Sequence, residues 1–146
     1  MVRWKSSNKT ATDTEIQIVE KELDIRFPQD FVLCVKKNNG GCPEPNVINI
    51  KGSGEVFRQL LDFHHDQPMY IVEEAEDLQI EGLSERIIPF ANDPFGNYFC
   101  FDYRESESNP AIVFYDHETD PDDDMALTYV CDTFTELIES LHEGNS

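Results

Sequence analysis

The stretch IPFANDPFGNYFCFDYRES, from Ile88 to Ser106, contains two strand patterns on either side of a turn pattern. Two short apolar runs, rich in Ile, Phe and Tyr, flank the polar segment 92–97. That segment contains turn residues, because Pro fixes φ while Gly and Asn tolerate positive φ. It has one carboxylate, Asp93, but no Ser, Cys, His or Lys beside it that could supply a nucleophile and a base. We therefore predict a β-hairpin, with strands over 87–91 and 98–103, and no active site in the turn.

The second strand of this hairpin is predicted to be central in its sheet. Successive side chains of a strand point to opposite faces, so large apolar groups would lie on both sides. One face carries Tyr98, Cys100 and Asp102, and the other carries Phe99, Phe101 and Tyr103. Further strands are predicted over 47–50, 111–115 and 127–130.

Helices are predicted at both ends of the chain. Thr12 and Glu15 have the spacing of a capping box, and the helix that follows should end before Phe27-Pro28. Pro28 suits the first turn of a second helix, which Asn and Gly at 38–41 should stop. A last helix begins at Asp132 or Thr133.

Three segments between these elements are less regular. Gly52-Ser53-Gly54 should break the strand over 47–50. Residues 55–64 are ambiguous, since Val56, Leu60 and Phe63 fit helical spacing. Residues 70–82 begin apolar and become acidic, which predicts the end of a strand followed by a short helix.

This order of elements predicts an α+β fold, with a largely antiparallel central sheet, N-terminal helices and a C-terminal helix packed against it. The helices are expected to cover one face of the sheet. A length of 146 residues is typical of one domain. We place that domain at 12–142, with flexible termini at 1–11 and 143–146.

The formal net charge of −19 at pH 7 is unevenly placed. Residues 1–60 hold nine Lys and Arg against eight Asp and Glu, whereas residues 61–146 hold two against twenty-two. Nucleic acid and anionic membranes require positive charge facing them, so neither is expected as a partner. The charge favours a cationic partner; the alternative is a solvated acidic surface with no binding role.

Two acidic segments are the candidate partner-binding surfaces. They are the loop that follows the strand over 111–115 and the acidic half of the segment 70–82. The candidate residues are Asp116, Glu118, Asp120, Asp122, Asp123 and Asp124 in the first, and Glu73, Glu74, Glu76 and Asp77 in the second.

No cofactor or metal is expected. The aspartates at 120, 122 and 124 match the first half of an EF-hand loop, but Met125 stands where Gly is needed and Cys131 where Glu is needed. His64 and His65 are adjacent, so their side chains point apart, and we interpret them as exposed polar surface.

The remaining composition indicates a cytoplasmic protein without catalytic residues. Cys34, Cys42, Cys100 and Cys131 form no C-x-x-C pair and are expected as free thiols. No secretory signal or membrane span is found. No catalytic motif is found either, so a binding protein is favoured over an enzyme.

Four stretches together resemble the SUKH superfamily, which includes the Smi/Knr-type regulators of fungal cell-wall synthesis. Each is loose alone, but their order and spacing fit over about residues 12–142. They are RFPQDFVLCVKKNNGG (Arg26–Gly41), IIPFANDPFGNYFCFD (Ile87–Asp102), AIVFYDHE (Ala111–Glu118) and TFTELIESL (Thr133–Leu141). Pro94 departs from the family pattern, which alters the turn only.

The resemblance implies an α+β domain without catalytic residues. Many bacterial members look like immunity proteins, which bind and neutralise a cognate toxin, often a nuclease or deaminase of a contact-dependent or LXG-type system. A basic nucleic-acid-binding surface on such a toxin would match the acidic half of this chain. The alternative is an intracellular regulatory or adaptor module, as in the fungal relatives. Whether the protein forms a homodimer stays open.

Overall fold

The computed structural model describes residues 2–5, 10–120 and 123–144. Within them, helices and strands mix as the sequence predicts, and the α+β fold is confirmed. The helices are α1 (Asp13–Leu23), α2 (Gln29–Asn38), α3 (Ile71–Ile80) and α4 (Phe134–Glu139). The strands are β1 (Arg3–Lys5), β2 (Cys42–Glu44), β3 (Val47–Ile50), β4 (Ser53–Val56), β5 (Gln59–Leu60), β6 (Ile87–Asn92), β7 (Tyr98–Asp102), β8 (Ala111–Tyr115) and β9 (Leu127–Cys131).

Local capping explains where three of the helices begin. In α1, the Thr12 hydroxyl accepts from the Glu15 backbone N–H at 3.1 Å, and Glu15 accepts from the Thr12 N–H at 2.9 Å. This reciprocal pair confirms the predicted capping box. Pro28 precedes α2, and Thr133 caps α4 by accepting from the Glu136 N–H.

The central sheet has the strand order β5-β6-β7-β8-β9, and every neighbouring pair in it is antiparallel. The predicted hairpin forms its centre, with Ile88 opposite Phe101 and Asn92 opposite Tyr98. A bulge between Pro89 and Ala91 accommodates the proline. β1 pairs with β2 and β3 with β4 in two smaller sheets. Here β1 lies within the N-terminal segment predicted to be flexible; Met1, residues 6–9 and residues 145–146 lie outside the described part.

The main core fills one face of the central sheet with aromatic rings. Phe90 and Phe101 stack at a centroid separation of 4.3 Å. Phe31 of α2 packs edge-on against Phe101 at 5.1 Å and against Phe134 of α4 at 5.2 Å. Helices α2 and α4 are therefore fixed to the sheet by ring contacts. Tyr103 also donates its hydroxyl hydrogen to the backbone oxygen of Arg26.

The opposite face of the sheet carries a second, smaller core, as the alternation along β7 predicts. Its buried members are Leu78, Leu83, Ile87, Cys100, Val113, Tyr115 and Ala126. Helix α3 contributes to both cores, since Ile71 and Ala75 pack in the main one and Leu78 in the smaller one. The expectation that the helices cover a single face is therefore too simple.

The predicted break after the strand over 47–50 is confirmed, whereas the next segment differs from its prediction for a long-range reason. β3 ends at Ile50, and Lys51 and Gly52 both take positive φ and turn the chain, so that Ser53 and Gly54 begin β4. Residues 55–64 are extended, because their N–H groups bond to strands elsewhere: Leu61 N–H donates to the backbone oxygen of Phe90. The apolar residues of this segment have helical spacing because they are buried at irregular intervals along an extended chain.

Residues 70–82 follow their prediction. Tyr70 forms an isolated parallel β-bridge with Asp62, which is the strand end that the sequence predicts, and helix α3 begins directly after it at Ile71. Ile71, Val72, Ala75 and Leu78 provide its buried stripe. The apolar start of the segment is the first helical turn facing the core.

A buried polar network lies between α2 and the segment before α3. The fully buried Asn39 donates from Nδ2 to Asp62 at 2.8 Å and accepts from the Phe63 N–H at 2.9 Å. The same Asp62 oxygen accepts from the His64 N–H. The His64 ring lies 2.9 Å from the Thr10 backbone oxygen and is partly buried, so the interpretation of His64 as exposed surface is wrong.

Further features complete the description. Trp4 of β1 packs edge-on against Phe57 at a centroid distance of 6.4 Å. Cys34, Cys42, Cys100 and Cys131 carry free thiols. No helix in the described residues is long and apolar enough to cross a membrane.

Candidate functional site

The candidate site lies on the second face of the central sheet, around a pair of tyrosines. Tyr98 on β7 and Tyr115 on β8 are directly opposite each other in the antiparallel register. Adjacent side chains on one face of such a pair contact each other across the strands. The two tyrosines therefore share one face of the sheet, at the smaller core.

Helix α3 brings a carboxylate to the first tyrosine. The Tyr98 hydroxyl donates to Oε1 of Glu74 at 2.6 Å. Burial raises the pKa of Tyr98, and the hydrogen bond to Glu74 raises it further, because both disfavour the phenolate. The bond also fixes one side of α3 against β7.

The second tyrosine is surrounded by acidic residues from two different segments. Burial and then the charge of Glu81 raise the pKa of Tyr115, and Asp120 and Asp116 add to the effect. Within the described residues, the buried hydroxyl of Tyr115 has no hydrogen-bond partner. Tyr115 shares a buried cluster with Leu78 and Leu83, so the end of α3 packs beside this ring. The loop after β8 begins at the next residue, since β8 ends at Tyr115.

We call this surface the tyrosine face. It consists of the partly buried Tyr98, the fully buried Tyr115 beneath the surface, and the carboxylates Glu74, Glu81, Asp116 and Asp120, which supply its solvent-accessible charge. Glu74 and Glu81 are seven residues apart, so they project from nearly the same side of a helix. Glu81, which caps α3, is absent from the residues singled out by sequence. Its i, i+7 relation to Glu74 is the signal that would have found it.

The other acidic residues of α3 have a different orientation. Burial and the charges of Glu22, Glu73 and Glu76 raise the pKa of Tyr70, so Glu73 and Glu76 lie toward α1. Asp77 is exposed and lies between the two sets around the helix axis. Of the four candidate residues on α3, Glu74 therefore lies against the sheet tyrosines, whereas Glu73 and Glu76 lie on the side toward α1.

The acidic loop after β8 uses some of its carboxylates to shape its own backbone. Asp116 accepts from the Glu118 N–H at 3.0 Å, and Asp123 accepts from the Met125 N–H at 2.8 Å. These are Asx-type turns. Glu118 is exposed and Asp124 lies in a 3-10 turn. Asp122 lies outside the described residues.

The turn over 93–97 is organised by Asp93 and joined to this loop. One Asp93 oxygen accepts from the N–H groups of Phe95 and Asn97, both at 2.8 Å, and the other accepts from the Asn97 side chain at 2.9 Å. Asn97 in turn accepts from the His117 N–H at 3.0 Å. The stretch is a hairpin turn, as predicted, and it also supports the acidic loop.

Gly96 allows the close approach of the loop. Its φ is 89°, and a Cβ atom at this position would lie 3.2 Å from Cε1 of His117. A side chain would therefore be strained in its backbone and crowded by the imidazole. The glycine lets the turn and the loop pack together.

Among the described residues, no group of three or more His, Cys, Asp or Glu is arranged to hold a metal ion.

Fold and site together define a small, acidic α+β domain built on one antiparallel sheet, with clustered carboxylates on the second face. The chain belongs to the SMI1 / KNR4 family (SUKH-1), whose model matches residues 10–140. This match confirms the resemblance drawn from the four sequence stretches. No curated protein matches the chain.

Proposed function

We propose that this protein is an immunity protein, which binds and neutralises a cognate toxin whose enzyme domain, a nuclease or similar, belongs to an LXG-type system. The supporting observation is the convergence of carboxylates from α3 and from the loop after β8 on the tyrosine face. Membership of the SMI1 / KNR4 family is compatible with this role. In this proposal the protein acts in the cytoplasm by binding alone and carries out no catalysis.

Charge complementarity gives the physical reason for a basic partner. A nuclease presents positive charge to the phosphates of its substrate. A surface with Glu74, Glu81, Asp116 and Asp120 attracts that charge at a distance and speeds encounter. Bound there, the protein would block access of the nucleic acid to the toxin.

The test is a kinetic one, and its ligand is a catalytically inactive nuclease domain from an LXG-type toxin of the cell that makes this protein. We expect neutralisation of the tyrosine face by Glu74→Gln, Glu81→Gln and Asp120→Asn together to slow association about tenfold at low salt. Glutamine at 74 keeps an acceptor for the Tyr98 hydroxyl. The wild-type association rate should also fall between about 0.1 M and about 1 M salt, where the Debye length shrinks from ~10 Å to ~3 Å.

A matched control removes two charges from the other side of α3 and one from the facing end of α1. Glu22→Gln, Glu73→Gln and Glu76→Gln should leave the association rate within about twofold of wild type, since these residues lie toward α1. If this control slows association instead, the binding surface lies there. Wild-type protein that neither binds nor neutralises the toxin would refute the proposal.

A further inference from the structure

Ile80, Met125 and Phe95 are the most exposed large apolar side chains of the described residues, and Phe95 is the aromatic one of the three. Phe95, at the tip of the β6–β7 turn, is 73% exposed. Aromatic residues exposed to this degree on a rigid surface are typical of protein-binding sites, where they become buried anchors.

The turn that presents Phe95 is held from two sides. Asp93 fixes the N–H groups of Phe95 and Asn97 from within the turn. Asn97 accepts from the His117 N–H, and the imidazole of His117 lies against Gly96. Such a side chain on a fixed backbone loses little conformational freedom when a partner covers it.

Hydrogen bonds and chain neighbours connect this turn to the acidic residues of the loop after β8. His117 lies between Asp116 and Glu118 in the chain, and the Asp116 N–H donates to the backbone oxygen of Ala126 at 2.9 Å. Met125, the neighbour of Ala126, is 75% exposed. Because His117 contacts Gly96, the residue after Phe95, a partner that covers Asp116 and Glu118 lies next to the turn that carries Phe95.

We infer that Phe95 is the apolar anchor of the toxin complex and inserts into a hydrophobic socket bordered by Lys and Arg on the basic partner. This inference rests on the proposed function. The carboxylates act at long range and set the association rate, whereas a buried ring acts only on contact and sets the lifetime of the complex. The two contributions are separable by kinetics.

The experiment measures binding of the same inactive toxin domain to Phe95→Ala at low and high salt. The dissociation rate of Phe95→Ala should be at least tenfold that of wild type, and its association rate should stay within about twofold of wild type. The ratio of the two dissociation rates should be the same at both salt concentrations. Phe95→Tyr should restore most of the lifetime, because it retains the ring. Leu33→Ala is the matched control, since Leu33 is 56% exposed on α2, and it should leave both rates unchanged.

Circular dichroism and thermal unfolding of each variant check that the fold is retained. We expect it to be, because Phe95 and Leu33 are both exposed. If Phe95→Ala dissociates at the wild-type rate while the tyrosine-face variant associates slowly, the anchor is refuted and the proposed function stands. If wild-type protein does not bind the toxin, both are refuted.

Discussion

Asp93 organises the β6–β7 turn with both carboxylate oxygens while it is itself only 2% exposed. We predict that Asp93→Ala lowers the free energy of unfolding by roughly 1–3 kcal/mol, because it leaves two partly buried N–H groups of the turn without their acceptor. Asp93→Asn should cost less, since the amide oxygen still accepts. Urea denaturation measures both.

Asp66→Ala provides the comparison for this change, because Asp66 is an exposed aspartate on another loop. Its substitution should alter stability by no more than about 0.5 kcal/mol. An unfolding midpoint of Asp93→Ala equal to that of Asp66→Ala would mean that the turn does not depend on its carboxylate.

Some features of these residues could be predicted from the sequence, and others could not. The turn character of Asp93 and its neighbours was predictable, since it depends on local chemistry. The bond from His117 to Asn97 was not, because the two are brought together only when β7 pairs with β8. Glu81 was missed for a related reason: with a strand end predicted before the helix, no helical face could be assigned.

At the scale of elements, the start of α1 depends on its reciprocal cap. We predict that Thr12→Ala lowers the free energy of unfolding by about 1 kcal/mol, because the Glu15 N–H loses its acceptor. Thr14→Ala, two residues into the same helix and exposed, should be neutral or slightly stabilising, because Ala has the higher helix propensity. The midpoints of urea denaturation compare the two variants, provided that the dependence of the unfolding free energy on urea is unchanged. Equal midpoints would contradict the capping role.

The elements show which signals a single sequence carries. Caps and the alternation along β7 are local, and both predictions are confirmed. The segment 55–64 is different, because its extended conformation is imposed by hydrogen bonds to Asn46, Asn92 and Phe90. Spacing of apolar residues cannot reveal such partners, so helical periodicity there was misleading.

For the whole molecule, the net charge of −19 opposes compaction. We predict that raising NaCl from about 0.01 M to about 0.5 M raises the midpoint of thermal unfolding, because salt screens the repulsion between exposed carboxylates. KCl should act equally, which separates screening from binding of a particular cation. A midpoint that falls with added salt would show that attractive ion pairs dominate.

At this scale the fold class and the centre of the sheet were predictable, because ten Phe and five Tyr in a few runs leave few ways to bury them. The orientation of α3 was not, since it depends on how Leu78 reaches the smaller core while Ile71 stays in the main one. That orientation decides which carboxylates meet the sheet tyrosines.

The contact between Trp4 and Phe57 has a consequence for spectroscopy. Trp4 is the single tryptophan of the sequence, so all tryptophan fluorescence originates in β1. This short strand is joined to β2 by the pairs of Arg3 with Glu44, Trp4 with Pro43 and Lys5 with Cys42. An emission red shift that precedes the loss of far-UV ellipticity would measure detachment of β1, and coincident curves would measure cooperative unfolding. Emission alone is therefore a reporter of one docked strand, and dichroism must accompany it.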